Sequence, residues 1–128
     1  MQEDETFVGM RVAPFPVLVE VKKGQDRESV KRFTGTFIVG RSRECDLQLH
    51  ENSVSRKHLK IEFDGKQWVL HDLGSSNGTF VNGFRVRNVP LLDKTEVELG
   101  QGGPVLSLTI ERPAPPKTAG SAATTKEF

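Results

Sequence analysis

Three short segments of the chain are rich in groups that bind anions. The first is Gly40-Arg41-Ser42, the second is Ser55-Arg56-Lys57-His58, and the third has the sequence DLGSSNGTFVNG over residues 72–83. Arginine offers a planar fork of N–H donors that pairs with two phosphate oxygens, and hydroxyls and backbone N–H groups complete such sites. The pattern therefore predicts three loops that converge on an anion.

The sequence around these segments has the period of β-strands. Apolar and polar residues alternate in about ten short runs separated by turn formers, and no window has a helical period. Hairpins are predicted at Asp64-Gly65, at Thr34-Gly35 and, as a turn, at Asn82-Gly83. We therefore expect an all-β sandwich of two antiparallel sheets with the loops at one end. The predicted strands cover residues 16–22, 30–33, 36–39, 46–49, 58–63, 67–73, 79–81, 84–86, 95–99 and 105–111.

Length, charge and cysteine content exclude several classes of protein. The 128 residues suffice for one domain with its own core. A formal net charge of +1 gives no support to nucleic-acid binding. The single cysteine, Cys45, excludes an internal disulfide and fits a reducing compartment, so we expect a cytoplasmic protein with Cys45 as a small buried side chain. No run is long enough to span a membrane, and the acidic start QEDE is unlike a signal peptide.

Composition changes at both ends of the chain. Residues 1–15 are acidic and then mixed, with Pro14 and Pro16 on either side of Phe15, and we interpret them as a flexible arm. The sequence PAPPKTAGSAATTKEF that follows Arg112 cannot bury enough apolar surface to offset chain entropy. We therefore predict a domain over residues 16–111 and a disordered linker over 112–128, after which the natural protein is expected to continue.

In their order and spacing, the motifs resemble those of a forkhead-associated domain. They read Gly40-Arg41-Ser42, Ser55-Arg56-Lys57-His58, Gly74-Ser75-Ser76-Asn77-Gly78-Thr79 and Asn82-Gly83. The resemblance covers about residues 16–111. It implies an eleven-stranded β-sandwich that binds phosphothreonine peptides through loops at one end. It also implies a recognition module rather than an enzyme, and we expect neither a cofactor nor a metal.

The chemistry of the candidate residues suits this ligand. Phosphothreonine carries a charge of about −1.5 to −2 and three strong acceptor oxygens. Arg41 would supply the permanent cation, Ser55 and Ser76 the hydroxyl donors, and the backbone N–H of Arg56 would complete a small nest. Asn77 has an amide donor and an acceptor, which suits the peptide backbone of the ligand. The resemblance assigns the same roles to Arg41, Ser55, Ser76 and Asn77.

Three further residues are expected to support the site. Gly40 and Gly78 are each interpreted as permitting a tight backbone turn. In the family, the histidine that matches His58 is structural, which implies that it bonds between loops and holds the Ser55 and Gly40 turns. The side chain of Arg56 either reaches the ligand or is merely exposed, and the sequence leaves both alternatives open.

Other motifs are weaker. Residues 74–78 match the G-x-S-x-G pattern of hydrolases, but that pattern requires a helix after the serine and a downstream histidine. Here a strand and a turn follow Ser76, and all three histidines precede it. Cys45 and the histidines lack zinc spacing, and no Walker A lysine follows a glycine loop. We therefore expect no enzymatic activity.

Two classes of function remain. The first is phosphothreonine-dependent recognition of a partner protein downstream of a Ser/Thr kinase. The second is a phosphate-independent scaffold or assembly domain that uses a face of the sandwich. Arg41, Ser55 and Asn77 favour the first, because a purely structural module does not need them. Thr6, in the acidic context EDETF, is a candidate self-ligand that would bind the same loops intramolecularly once phosphorylated.

Overall fold

Residues 14–112, which the computed structural model describes, form eleven β-strands. The all-β prediction is confirmed. No helix in this part of the chain is long and apolar enough to cross a bilayer. The strands are β1 (Val17–Lys23), β2 (Val30–Phe33), β3 (Phe37–Gly40), β4 (Leu47–Gln48), β5 (Leu59–Phe63), β6 (Trp68–Asp72), β7 (Thr79–Val81), β8 (Phe84–Val86), β9 (Asn88–Pro90), β10 (Lys94–Leu99) and β11 (Val105–Ile110).

The strands form two sheets. One has six strands in the order β2-β1-β11-β10-β7-β8, and the other has five in the order β4-β3-β5-β6-β9. Neighbouring strands are antiparallel throughout, as predicted, except that β4 runs parallel to β3 with Val39 opposite Leu47. This exception lies beside the first predicted loop, because the chain leaves β3 at Gly40 and returns along it at Leu47.

Alternation along the strands produces one apolar core between the sheets. In β1, Val17, Val19 and Val21 are buried and the residues between them are partly exposed. The largest buried side chains from the facing sheet are Trp68 and Phe37. Each such side chain contributes about 1.5–3 kcal/mol through burial, so the core holds the strand ends in fixed positions.

The predicted hairpin at Thr34-Gly35 is wrong. β2 pairs with β1 in the six-stranded sheet, whereas β3 pairs with β5 in the other sheet, so residues 34–36 cross between the two. The rings of Phe33 and Phe37 stack at 3.9 Å between centroids across this connection. Turn-forming residues indicate where a chain bends, but they do not indicate which sheet the next strand joins.

β9 was not expected from the sequence. Its three residues, Asn88–Pro90, have no alternating pattern and end in a proline, which argues against a central strand. The structure places β9 at the edge of the five-stranded sheet, where Val89 lies opposite Leu70 of β6. An edge strand tolerates proline because one side of its backbone has no strand to pair with.

The described chain begins and ends at the pole away from the predicted loops. The Phe15 carbonyl accepts a hydrogen bond of 3.0 Å from the Trp68 indole, and the Arg112 guanidinium lies 5.6 Å from the centre of the Phe15 ring. Trp68 opens β6, whose other end leads to the third loop. The predicted tail from residue 113, most of the predicted arm and Thr6 lie outside the described residues, so these domain boundaries stay predictions.

Candidate functional site

The sheet topology brings the three predicted loops together at one end of the strands of the five-stranded sheet. β5 lies between β3 and β6 and is antiparallel to both. At one end of the sheet, the amino end of β5 therefore lies beside the carboxyl ends of β3 and β6. Loop 1 follows β3 over residues 41–46, loop 2 precedes β5 over residues 49–58, and loop 3 joins β6 to β7 over residues 73–78.

Loop 1 is bonded to loop 2 through backbone and side chain. The Arg41 and Ser42 amides donate to the carbonyls of Ser55 and Arg56 at 2.9 and 3.1 Å. The Nε of Arg41 donates to the Val54 carbonyl at 2.9 Å. Within residues 14–112 the Nη groups of Arg41 and the backbone N–H of Arg56 have no partner. These donors are thus available to an anion. The hydrogen bond from Nε to the Val54 carbonyl already fixes the guanidinium in position.

Loop 3 is bonded to loop 2 through Ser55. The Ser55 hydroxyl oxygen accepts the Ser76 amide at 3.0 Å, so its own proton remains available for donation. The Asn77 side-chain amide donates to the Ser53 carbonyl at 3.0 Å. The structure therefore brings together all five predicted contact residues: Arg41, Ser55, Arg56, Ser76 and Asn77.

His58 is fully buried beneath loops 2 and 3. Its Nδ1 accepts the Ser55 amide at 3.1 Å, and its Nε2 lies 2.9 Å from the Gly78 carbonyl. A carbonyl can only accept, so Nε2 carries the proton and the ring is the neutral tautomer. The expectation of a bond between loops is met at Ser55, but the second partner is Gly78 and not Gly40. The side chain reaches this position because His58 is the last residue of loop 2, immediately before β5 and beneath loop 3.

Burial lowers the pKa of His58 below the ordinary value of 6.5, although the bond to Gly78 opposes this shift. The unfolded chain therefore takes up a proton at a higher pH than the folded chain does. The stabilising effect of the neutral ring is complete above about pH 6.5 and is lost as the pH falls below it.

We expect the free energy of unfolding to fall between neutral and mildly acid pH, by up to about 1.4 kcal/mol per pH unit. Urea unfolding across this range measures the effect. The His58→Gln variant should lose this pH dependence and the control His71→Gln should keep it. An unchanged pH dependence in His58→Gln would show that another group titrates.

Gly40 is needed for close packing and not for a turn. It ends β3 in ordinary strand conformation, so the expectation of a tight turn is wrong. A Cβ at this position would lie 2.1 Å from the Arg56 carbonyl oxygen and 2.9 Å from the sulfur of Cys45. The absence of a side chain allows the backbones of loops 1 and 2 to approach each other.

The Cys45 thiol contributes to the same contact. It donates to the Arg56 carbonyl at 3.0 Å, and burial raises its pKa, so it remains a protonated donor. Cys45 is partly exposed, and not buried as expected, because it lies in loop 1 and not in a strand.

Alanine at position 40 is expected to destabilise the fold by about 1–3 kcal/mol, because backbone atoms must move to admit the methyl group. Chemical denaturation measures this loss. Gly35→Ala is the matched control, since a Cβ there meets nothing within 4 Å, and we expect a change within about 0.5 kcal/mol. Equal stability of the two variants would contradict the packing role of Gly40.

Asp72 and Ser75 shape loop 3, a role that the sequence analysis did not assign to them. The Ser75 amide and hydroxyl both donate to the Asp72 carboxylate at 2.7 Å, and the Ser75 hydroxyl accepts the Gly78 amide at 3.1 Å. Burial of the Asp72 carboxylate opposes ionisation, but these bonds hold its pKa below the ordinary value. The signal in the sequence is an aspartate three residues before a serine in a glycine-rich turn.

Gly78 has a φ of +88°, which agrees with its predicted role in a turn.

Comparison with known proteins shows the family of this chain. Residues 37–100 match the family model of the FHA domain. The chain is 41% identical over 66 residues to the FHA domain-containing protein FhaA of Mycobacterium tuberculosis, covering 52% of this chain and 12% of that protein. It is 32% identical over 104 residues to the oxoglutarate dehydrogenase inhibitor of Corynebacterium jeikeium, covering 78% of this chain and 71% of the inhibitor. For three of the curated relatives, the chain spans between 11% and 23% of their length.

A solved structure resembles the whole sandwich. The crystal structure of Mycobacterium tuberculosis Rv1747 FHA-1 superposes with a TM-score of 0.70 and 31% identity, covering 78% of this chain and 100% of that domain. The FHA domain is an interaction module, and none of these matches shows catalytic activity. The sequence motifs, the two-sheet topology and these similarities agree: the chain belongs to the FHA domain family.

Proposed function

We propose that this domain recognises phosphothreonine in partner proteins through loops 1, 2 and 3. The observation that carries the proposal is the convergence, at one end of the sandwich, of donors that have no partner among residues 14–112. These donors are the Nη groups of Arg41, the hydroxyls of Ser55 and Ser76 and the N–H of Arg56. A phosphate group requires one permanent cation with several neutral donors, and this set supplies both.

The relatives support the proposal. One similar FHA domain comes from a study of phosphothreonine-dependent FHA domain interactions, with a TM-score of 0.67 and 29% identity. The FhaA FHA domain, with a TM-score of 0.63, was solved in complex with the intracellular domain of Rv3910. By analogy, the partner of this chain carries a phosphothreonine written by a Ser/Thr kinase in the same compartment, which we take to be the cytoplasm.

The experiment is a titration of the full chain with matched peptides. A degenerate peptide library with a fixed phosphothreonine first selects a sequence, and calorimetry then compares its phosphorylated and unphosphorylated forms. We expect a dissociation constant in the micromolar range, about −8 kcal/mol, for the phosphorylated form alone. Equal affinity for both forms, or no selection from the library, would contradict the proposal.

Phosphothreonine is expected to bind about tenfold or more tightly than phosphoserine in the same peptide. The additional methyl group would fill a small apolar slot beside Asn77 and Gly78. Calorimetry with the two peptides measures the ratio, and a third peptide with unmodified threonine serves as the control. Equal affinities for the two phosphopeptides would show that the loops recognise the phosphate alone.

A second candidate function rests on an exposed apolar surface. Phe84 is 75% exposed and Leu92 is 66% exposed, and both line a cavity of about 380 Å³ beside the edge strands β8 and β9. Exposed apolar side chains of this size at open sheet edges are typical of protein interaction sites. This surface fits the phosphate-independent assembly module, and it lies on the flank of the sandwich rather than on the loops.

A further inference from the structure

A polar cavity adjoins the proposed phosphate site. It has a volume of about 440 Å³, and its lining includes Ser76 and Asn77 from loop 3 together with Arg85 and Gln101. None of the described lining residues is acidic. A peptide held at Ser76 and Asn77 would therefore pass beside Arg85.

Arg85 is placed there by the register of β7 and β8. It lies opposite Phe80, and Phe80 lies opposite Glu98 of β10, so the three side chains form a row on the outer face of the six-stranded sheet. The Arg85 side chain lies against loop 3, since a Cβ on Gly78 would be 2.8 Å from its Nε. Gly78 thus permits both the turn and the approach of this guanidinium.

Arg85 has no ion-pair partner within residues 14–112. Glu98, the acidic residue of the same row, accepts the Gly102 amide at 2.7 Å, and Asp72 is held by Ser75. The other polar groups of the cavity are compatible with an anion, because the Ser76 hydroxyl and the Gln101 side-chain amide can each donate a hydrogen bond.

We infer that Arg85 binds a second anionic group of the ligand, a carboxylate or a second phosphate, a few residues from the phosphothreonine. This inference rests on the proposed function. Arg85 is therefore a specificity-determining residue that acts in addition to Arg41. Because its side chain is exposed, solvent limits the effect to about threefold to fivefold in affinity for a carboxylate. A second phosphate carries more charge and offers more acceptors, so it should give a larger factor.

A double-mutant cycle tests this inference. Peptides with one phosphothreonine are prepared with glutamate, glutamine or phosphoserine at each flanking position in turn, and the full-length wild type is compared with Arg85→Gln and Arg85→Lys. The control is Arg87→Gln, an exposed arginine that does not line this cavity. We expect one flanking position at which glutamate improves binding to the wild type. Arg85→Gln should abolish that preference, Arg85→Lys should keep part of it, and Arg87→Gln should keep it in full.

The outcomes separate this inference from the function on which it rests. If no phosphopeptide binds the wild type, the proposed function itself fails. If phosphopeptides bind but Arg85→Gln leaves the preference for glutamate unchanged, the inference is overturned. A uniform loss of affinity for every peptide would also overturn it, since it would mean that Arg85 supports loop 3 or contacts the first phosphate. The phosphoserine series shows which of the two anions the cavity prefers.

Discussion

Replacement of Arg41 by alanine is expected to abolish phosphothreonine binding and leave the fold intact. Loss of the cation from a phosphate site costs about 2–5 kcal/mol, which would raise a micromolar dissociation constant beyond the range of calorimetry. The fold should tolerate the change because the side chain is exposed and makes one bond, from Nε to the Val54 carbonyl. Such a bond contributes about 1 kcal/mol to stability, so the melting temperature should fall by only a few degrees.

Two variants make the Arg41 experiment specific. Arg43→Ala removes another exposed arginine of loop 1 and should bind as the wild type does. Arg41→Lys keeps the charge but loses the planar fork, and we expect an intermediate affinity. If Arg41→Ala binds as well as the wild type, the phosphate is held elsewhere.

Replacement of His58 by alanine is expected to reduce both stability and affinity. The side chain is completely buried, and its removal leaves a cavity and deprives the Ser55 amide and the Gly78 carbonyl of their partner. Together these losses amount to about 2–4 kcal/mol, or roughly ten degrees or more in melting temperature. Loops 2 and 3 would also lose their shared anchor, so the donors of Ser55 and Ser76 would no longer be held in place.

The His58 prediction is checked by thermal unfolding and by calorimetry well below the melting temperature. His71→Ala is the control, because His71 is partly exposed and its side chain bonds to Asn88 of β9 and not to a residue of loop 2 or loop 3. We expect a change within about 1 kcal/mol for that variant. A folded His58→Ala protein with undiminished affinity would contradict the role of His58 in positioning the loops.

Much of the fold follows from local signals. Period-two alternation predicts strands such as β1, β5 and β6. Successive side chains of a strand point to opposite faces of the sheet, and one face of each of these strands is buried. β9 was missed because three residues that end in Pro90 carry too little pattern. The wrong hairpin at Thr34-Gly35 has a different cause: the partner of β2 depends on long-range packing, which turn residues do not encode.

The sequence indicates which residues form the candidate site, but it does not indicate the structure that supports them. Residue type and spacing indicate Arg41 and Ser55 as candidate phosphate-binding residues, because the binding chemistry of each depends on its own side chain. The packing of Gly40 against the Arg56 carbonyl and the position of Arg85 against Gly78 depend on which strands are neighbours. Such contacts join residues that are distant in sequence, so the sequence alone does not show them.

NMR can locate the bound phosphothreonine on the domain. The full chain, labelled with ¹⁵N, is titrated with the selected phosphothreonine peptide and then with its unphosphorylated form. If the three loops hold the phosphothreonine, amide shifts should concentrate in loops 1, 2 and 3, at Arg41, Ser55 and Ser76 above all, and the unphosphorylated peptide should produce none. Shifts around Phe84 and Leu92 with both peptides, and none in the loops, would contradict the proposed function and would favour the phosphate-independent assembly module.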